Sequence, residues 1–328
     1  MGIMETPIQA LPLRQELEDV ERSLKRALAT EVRVVAELGD YLYRTGGKRF
    51  RPALAILFYK LLGERGDYER LIELATVLEL IHMATLVHDD VIDESEERRG
   101  QPALWRVWGS RMAVLQGDFI FSRVFKILNR QEDRLRFLIT DTVEEILLGE
   151  LLQEDLRWRV PTEEEYFEVI RRKTASLIAT ACAVGALLGD PRIEEGTLGA
   201  VQEAGLRLGL AYQMVDDLLD IFGDGRLGKP TWRDRDEGWI TLPFVWLLER
   251  LPAGEHEEAR RLLLTPELTE PERNQLRRLL AESGVREEFH ARARDEVEAA
   301  KRLLKTLPET ELLEAVMAAL DFVVERDF

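Results

Sequence analysis

The sequence contains little cysteine and little lysine, and it has fewer basic than acidic residues. Its 328 residues include one cysteine, Cys182, which excludes a disulfide framework and a zinc site built from cysteines. Acidic residues number 62 and basic residues 45, and the net charge of −17 argues against a nucleic-acid-binding protein, which needs a basic surface. Only eight of the basic residues are lysines, so each lysine is a candidate for a specific role.

The chain also lacks a hydrophobic run long enough to cross a membrane. The longest apolar stretch, residues 175–189, is interrupted by polar residues and glycines and predicts a buried helix. No basic segment followed by an apolar one opens the chain, so no signal peptide is expected. A single cysteine suits the reducing cytosol. The sequence therefore predicts a cytoplasmic protein with no integral membrane segment.

Helical periodicity is abundant. Apolar residues recur at three- and four-residue steps over residues 71–92, 198–222 and 286–304, which predicts long helices. Strict alternation is scarce, so no sheet is expected. A composition of 45% hydrophobic and 33% charged residues fits a globular protein with a sizeable core. We expect an all-α fold in which long helices surround a central cavity, with one domain over residues 14–328 and a flexible arm over residues 1–13.

Two acidic motifs carry the strongest chemical signal, and both have the form Asp-Asp-x-x-Asp within apolar helical runs. They are Asp89, Asp90 and Asp93, and Asp216, Asp217 and Asp220. The first and last aspartates of each motif are four residues apart and share a helix face, where like charges repel. One such motif is as often a solvated helix end as a binding site, but two matching motifs favour a bound cation. Carboxylate ligands suit Mg²⁺ better than zinc, and Mg²⁺ commonly shares its ligands with substrate phosphates.

Positive charge is concentrated in short segments that precede or follow the acidic motifs. They are Lys48, Arg49 and Arg51 after two glycines, Arg98 and Arg99, Lys173 beside Thr174, and Lys229. Each segment alone is more often surface charge than ligand, but together they favour a substrate that carries phosphate. His82 lies seven residues before Asp89 on the same helix face, and is either a hydrogen-bond donor to phosphate or an ordinary core histidine.

A nucleotide-binding P-loop is almost matched by Gly223, Gly228 and Lys229. Pro230 replaces the Ser or Thr that binds the metal in such loops, and a helix rather than a strand precedes the segment. A nucleotide-binding ATPase is therefore only a distant alternative.

In order and spacing, these motifs resemble those of the trans-isoprenyl diphosphate synthases, also called polyprenyl synthetases. The resemblance covers about residues 46–243 and leaves the last eighty or so residues without a motif. Its motifs are Gly-Gly-Lys-Arg-x-Arg-Pro, Ile81-His82, the two aspartate motifs, Arg98-Arg99-Gly100, Gly117-Asp118, Gly149-Glu150 with Gln153, Lys173-Thr174-Ala175, Gln213, Gly228-Lys229-Pro230 and Thr241-Leu242-Pro243.

The resemblance implies an all-helical homodimer in which the two aspartate motifs face each other across a cavity. It implies that Asp89, Asp93 and Asp216 hold Mg²⁺ on an allylic diphosphate, with Asp90, Asp217 and Asp220 in support. The residues implied for isopentenyl diphosphate are Lys48, Arg51, His82 and Arg99. Those implied for the allylic diphosphate are Arg98, Lys173, Thr174, Gln213 and Lys229. The implied reaction ionises the allylic C–O bond, adds isopentenyl diphosphate to the cation and releases a proton, with no covalent nucleophile.

Product length in this family is set one helical turn before the first motif. Ala84 and Thr85 occupy those positions and are small, which favours a long polyprenyl product, although a bulky residue elsewhere, such as Phe121 or Phe125, could close the tunnel. For product length, the alternative is a synthase with a shorter product, farnesyl or geranylgeranyl diphosphate.

Other classes remain as alternatives to the synthase. A class I terpene cyclase shares the first motif but usually replaces the second, and it has no use for a second diphosphate pocket. A non-catalytic accessory subunit often loses aspartates, whereas this chain keeps all six. Three residues depart from the family pattern, and they predict an altered loop after the second motif: Trp232, Arg235 and Trp239.

Overall fold

The structure is a computed structural model, and it describes residues 13–223 and 231–325. Contacts divide these residues into two compact units, which are described separately. The first comprises residues 13–143, 180–202 and 307–316, and the second comprises the described residues of 144–179, 203–306 and 317–325. Helices supply almost all of the regular structure in the described residues, so the all-α prediction is confirmed.

The first unit is built on six helices and a short hairpin that follow one another in the chain. They are α1 (Arg14–Leu28), α2 (Arg33–Arg44), α3 (Phe50–Leu61), α4 (Tyr68–Ile92), β1 (Glu97–Arg98), β2 (Gln101–Pro102), α5 (Leu104–Trp108) and α6 (Ser110–Leu128). Helix α4 is the centre of this unit and packs along α6, α3 and α1. Contrary to the sequence expectation, α4 is long and apolar enough to span a membrane, but 72% of its most apolar window is buried inside the protein.

The remaining helices lie in the second unit or contain residues of both units. They are α7 (Asp133–Asp155), α8 (Glu163–Ile170), α9 (Ser176–Gly189), α10 (Glu195–Phe222), α11 (Arg233–Asp236), α12 (Leu242–Arg250), α13 (Ala253–Leu263), α14 (Glu270–Glu282), α15 (Val285–Leu304) and α16 (Glu311–Val324). One π-helical turn, Arg171–Ala175, joins α8 to α9. The three long helices predicted from periodicity are confirmed as α4, α10 and α15.

The hairpin corrects the expectation that the chain has no sheet. Its two strands pair antiparallel, with Arg98 opposite Gln101. The two residues between the strands, Arg99 and Gly100, have φ values of 54° and 73°. Positive φ at both positions is what a two-residue hairpin turn requires, and Arg-Gly is not one of the usual sequence signals for it.

The predicted N-terminal arm, residues 1–13, lies outside the described residues except for its last member. Leu13 is fully buried, and its carbonyl oxygen accepts a hydrogen bond from the amide of Leu17 at 2.9 Å, which begins α1. The single domain over residues 14–328 stays a prediction.

Candidate active site

The first aspartate motif ends helix α4, and its three carboxylates have different surroundings. Asp90 is buried, and its Oδ1 accepts a hydrogen bond from Arg98 Nε at 2.8 Å, while Arg98 Nη2 contacts the same oxygen. Asp89 and Asp93 are half-buried and one turn apart, with the amide of Asp93 donating to the carbonyl of Asp89 at 2.8 Å. The middle aspartate therefore holds Arg98, and the outer two are the candidate metal ligands of this unit.

A cluster of arginines surrounds His82 on the same helix. Burial, followed by the charges of Arg51, Arg99, Arg98 and Arg49, holds the pKa of His82 well below its ordinary value. The imidazole is therefore neutral at pH 7 and can donate one hydrogen bond without adding charge. The charges of four guanidinium groups act on this one ring, in a protein of net charge −17. Such a cluster suits a diphosphate.

Two glycines lie against this cluster. A β-carbon on Gly47 would lie 2.8 Å from Arg49 Nη1 and 2.9 Å from Arg99 Nη1, which is closer than real atoms approach. Gly46 has a φ of 67°, and its carbonyl accepts a hydrogen bond from Arg99 Nη1. The two glycines therefore allow the backbone to run directly beneath the guanidinium groups.

Arg49 differs from its neighbours because it is buried and fully engaged by the protein. Its Nη1 donates to Glu79 at 2.8 Å, and its Nε donates to Glu21 at 2.5 Å. Burial lowers the pKa of Arg49, but the two carboxylates outweigh it and the net shift is upward. Arg49 is thus a structural residue, whereas Lys48 is exposed and Arg51 half-buried.

The second aspartate motif lies at the end of α10, and its middle residue Asp217 is fully buried. The hydroxyl of Tyr166 donates to Asp217 Oδ2 at 2.5 Å, and Gln213 Nε2 donates to Oδ1 at 2.9 Å. The hydroxyl of Thr174 in turn donates to Gln213 Oε1 at 2.9 Å. Burial, followed by the nearby Asp234 carboxylate, raises the pKa of Asp217 well above its ordinary value, and the two hydrogen bonds oppose that shift.

Asp220 is committed to the backbone that follows it. Its carboxylate accepts hydrogen bonds from the amides of Arg233 at 3.0 Å and Asp234 at 3.3 Å, so it caps the first turn of α11. Burial raises the pKa of Asp220 to about 6, against these hydrogen bonds. Asp216, which is half-buried, is the candidate metal ligand of this unit.

Asp234 is a further acidic residue of this site that the sequence analysis did not single out. Burial, followed by the charge of Asp220, raises the pKa of Asp234 to about 7, while Arg233 and Lys173 lower it. The sequence could have pointed to Asp234, because it stands between Trp232 and Arg235 in the family pattern that follows the second aspartate motif.

Lys173 and Thr174 occupy the π-helical turn between α8 and α9. Lys173 Nζ lies 2.6 Å from Glu150 Oε2 on α7. A β-carbon on Gly149 would lie 2.6 Å from the amide nitrogen of Lys173, so glycine allows this turn to lie directly against α7. π-Helical turns are frequent at functional sites.

The segment after the second motif is held in place by the three residues that depart from the family pattern. Trp232 is buried with a φ of 69°, and its indole donates to the carbonyl of Ile221 at 3.0 Å. Arg235 is fully buried and donates to the carbonyl of Leu262 at 2.6 Å and to that of Thr265, at the end of α13. Trp239 stacks on Tyr166, with ring centroids 6.2 Å apart. All three side chains are therefore buried in this segment, and the altered loop stays a prediction.

The remaining predicted residues are placed as follows. Lys229 lies outside the described residues. Ala84 is fully buried, and the hydroxyl of Thr85 donates to the carbonyl of His82 at 3.0 Å. The ring of Phe121 lies 6.1 Å from that of His88, and Phe125 is 51% exposed. The role of these residues in product length stays a prediction.

The carboxylates fit a magnesium ion that shares its ligands with a substrate. No three His, Cys, Asp or Glu side chains converge on a preformed metal site within residues 13–223 and 231–325. Mg²⁺ keeps several waters and is commonly held by one or two carboxylates together with substrate phosphates, so it does not need such a preformed group. The paired outer aspartates of α4 and the oxygen-only donor set are compatible with that mode of binding.

Comparison with known proteins identifies the family. The sequence model of the family described as Polyprenyl synthetase matches residues 32–279. The chain is 37% identical over 295 residues to the short chain isoprenyl diphosphate synthase of Methanothermobacter thermautotrophicus, covering 88% of this chain and 89% of that protein. It is 34% identical over 324 residues to the octaprenyl diphosphate synthase of Escherichia coli, covering 95% and 96%.

Solved structures agree with the sequence comparison. The polyprenyl synthase of Caulobacter crescentus, solved with calcium and isoprenyl diphosphate, superposes with a TM-score of 0.89 at 32% identity, covering 98% of this chain and 97% of that one. The chain therefore belongs to the polyprenyl synthetase family of prenyltransferases.

Proposed function

We propose that this protein is a Mg²⁺-dependent synthase that elongates an allylic diphosphate with isopentenyl diphosphate and gives an all-trans polyprenyl diphosphate. The observation that carries the proposal is the sorting of the six aspartates. Asp90 and Asp217 are buried and hydrogen-bonded, and Asp220, although half-buried, accepts hydrogen bonds from the amides of Arg233 and Asp234. Asp89, Asp93 and Asp216 are half-buried. That set is the one that the family resemblance assigns to the metal.

The arginine cluster around His82 would bind isopentenyl diphosphate. Lys48, Arg51 and Arg99 supply charge, and the neutral imidazole of His82 supplies one donor. The cluster holds the diphosphate of the attacking substrate and thereby fixes the position of its double bond. Because Arg49 is bound internally by Glu21 and Glu79, it supports the cluster rather than the substrate.

The second unit supplies the groups assigned to the allylic diphosphate. Lys173, Thr174 and Gln213 are held by α7, the π-helical turn and α10. The family resemblance also assigns Arg98 and Lys229 to this substrate. Bound Mg²⁺ would neutralise the charge that develops on the departing diphosphate. These side chains orient the same diphosphate by hydrogen bonds that strengthen as its negative charge grows. The proton lost after addition is assigned to the released pyrophosphate, since no side chain of the site is assigned as its base.

We propose a long-chain product because Ala84 and Thr85 are small. The relatives include both an octaprenyl and a short chain synthase, so this choice rests on the two residues. We also propose a cytoplasmic homodimer. Four leucines on α7 support self-association because they expose apolar side chains: Leu147 (51%), Leu148 (40%), Leu151 (67%) and Leu152 (38%). Leu151→Glu should convert the dimer into monomers in sedimentation analysis, and a wild-type protein that sediments as a monomer would contradict the assembly.

The activity is tested by incubating the purified protein with isopentenyl diphosphate, Mg²⁺ and each of three allylic primers, and by measuring product mass. We expect a polyprenyl diphosphate whose formation stops with EDTA and falls by at least about a thousandfold in Asp89→Asn, because a metal ligand is lost. Asp40→Asn is the matched control, since Asp40 is an exposed aspartate on α2. Cyclised hydrocarbon would indicate a terpene cyclase, and inactivity without a second protein would indicate an accessory subunit.

A further inference from the structure

Tyr166 is a buried residue of α8 to which the proposed reaction assigns no role. It has no exposed surface, and its hydroxyl donates to Asp217 Oδ2 at 2.5 Å. Asp217 is itself fully buried and belongs to the second aspartate motif. A buried carboxylate keeps its position only when its oxygens have partners, so the phenol determines where this carboxylate lies.

The hydrogen bonds continue from Asp217 to two residues assigned to the allylic diphosphate. Asp217 Oδ1 accepts from Gln213 Nε2 at 2.9 Å, which directs the amide nitrogen of Gln213 toward the carboxylate. The amide oxygen consequently points to Thr174, whose hydroxyl donates to it at 2.9 Å. The orientation of both polar side chains thus depends on a carboxylate that Tyr166 holds.

Aromatic packing fixes the ring of Tyr166 in turn. Trp239 stacks on it with an interplanar angle of 12°, and Phe167 and Phe289 contact it edge-on at centroid distances of 5.4 and 6.4 Å. The amide of Trp239 donates to the carbonyl of Asp234 at 2.8 Å, so the indole is anchored in the segment that follows the second motif. Rotation of the phenol away from Asp217 would require this packing to open.

We propose that Tyr166 is a positioning residue for the allylic diphosphate site, and that Trp239 is its structural support. Tyr166 acts through Asp217, Gln213 and Thr174, and it does not contact substrate. The inference rests on the proposed synthase function. It implies that removal of one phenolic oxygen weakens the binding of the allylic substrate and leaves the isopentenyl diphosphate site, which belongs to the first unit, unchanged.

The test is steady-state kinetics of Tyr166→Phe with each substrate varied in turn. We expect the KM for the allylic diphosphate to rise about tenfold, as for the loss of one hydrogen bond to a charged group, and the KM for isopentenyl diphosphate to stay within about twofold. Tyr68→Phe is the matched control because Tyr68 also donates to an aspartate, Asp19 Oδ2 at 2.7 Å, at an exposed position of the first unit. That variant should leave both KM values unchanged.

Two further variants separate positioning from simple loss of stability. Trp239→Phe keeps an aromatic face against Tyr166 and should retain a nearly normal allylic KM, whereas Trp239→Leu should raise it as Tyr166→Phe does. Tyr166→Phe combined with Thr174→Val should raise the allylic KM by less than the product of the single effects, because both changes break one hydrogen-bonded chain.

The outcomes are distinguishable. An active wild-type enzyme whose Tyr166→Phe variant keeps its allylic KM, or loses affinity for both substrates equally, or only melts at a lower temperature, would overturn the inference alone. Multiplicative effects of Tyr166→Phe and Thr174→Val would overturn it as well. Absence of condensation by the unmodified protein would overturn the proposed function, and this inference with it.

Discussion

Trp232 offers a sharp test of backbone conformation after the second aspartate motif. It has a φ of 69°, and its buried indole has the guanidinium groups of Arg273 and Arg277 over its ring at 5.6 and 5.5 Å, and packs T-shaped with Phe244. Replacing a buried tryptophan by alanine costs about 3–5 kcal/mol of unfolding free energy. Replacing it by glycine also removes the strain of a left-handed residue, about 1–2 kcal/mol, partly offset by about 0.4–1 kcal/mol of unfolded-chain entropy. Trp232→Gly should therefore be more stable than Trp232→Ala by roughly 1 kcal/mol.

The assay is urea denaturation of both variants, followed by circular dichroism, with the midpoints compared at equal slope. Gly199 in α10 provides the matched control, because a β-carbon there would meet nothing within 4 Å and the backbone is helical. Gly199→Ala should raise the midpoint, since alanine is preferred to glycine in a helix by about 1 kcal/mol. Alanine equal to or better than glycine at position 232 would refute the argument that the backbone there is strained.

Three further outcomes follow from the site. Gly47→Ala should raise the KM for isopentenyl diphosphate about tenfold or more, because its methyl group would displace two guanidinium groups, whereas Gly199→Ala should leave it unchanged. The pKa values of Asp220 and Asp234, about 6 and about 7, are raised above that of an unfolded aspartate. The free energy of unfolding of the metal-free protein should therefore fall as pH rises from about 4 to 7. Thermal melts of Asp234→Asn should show a weaker fall, and a pH profile identical to that of the unmodified protein would contradict this assignment. Ala84→Phe should shorten the product in the mass assay, and an unchanged product would place the length limit elsewhere.

Much of the fold could be predicted because long helices with regular apolar spacing dominate the sequence. The segments at 71–92, 198–222 and 286–304 lie within α4, α10 and α15, as periodicity indicated. The hairpin at residues 97–102 escaped prediction because it consists of only two pairs of residues. Its turn depends on a left-handed arginine that no propensity favours.

Residue types and spacing predicted which residues belong to the site, whereas their division of roles came from the family resemblance and not from the spacing. Spacing alone makes Asp89, Asp90 and Asp93 equivalent, and only the burial of Asp90 against Arg98 distinguishes the middle residue. The support by Tyr166 of Asp217 was also invisible, because the two residues are 51 positions apart and meet only through tertiary packing. Long-range contacts of this kind depend on the assembled fold rather than on any local pattern.

The π-helical turn at Arg171–Ala175 has a consequence for insertions and deletions in this region. Such a turn contains one residue more than an α-helical turn, and α8 and α9 continue on either side of it. Because the turn absorbs this extra residue, removing one residue from it can restore an unbroken α-helix while α8 and α9 keep nearly the same relative orientation. Removing one residue from the α-helical part of α8 or α9 would instead rotate the residues beyond the deletion by about 100°. A single-residue deletion should therefore be tolerated better within this turn than in the helices on either side of it.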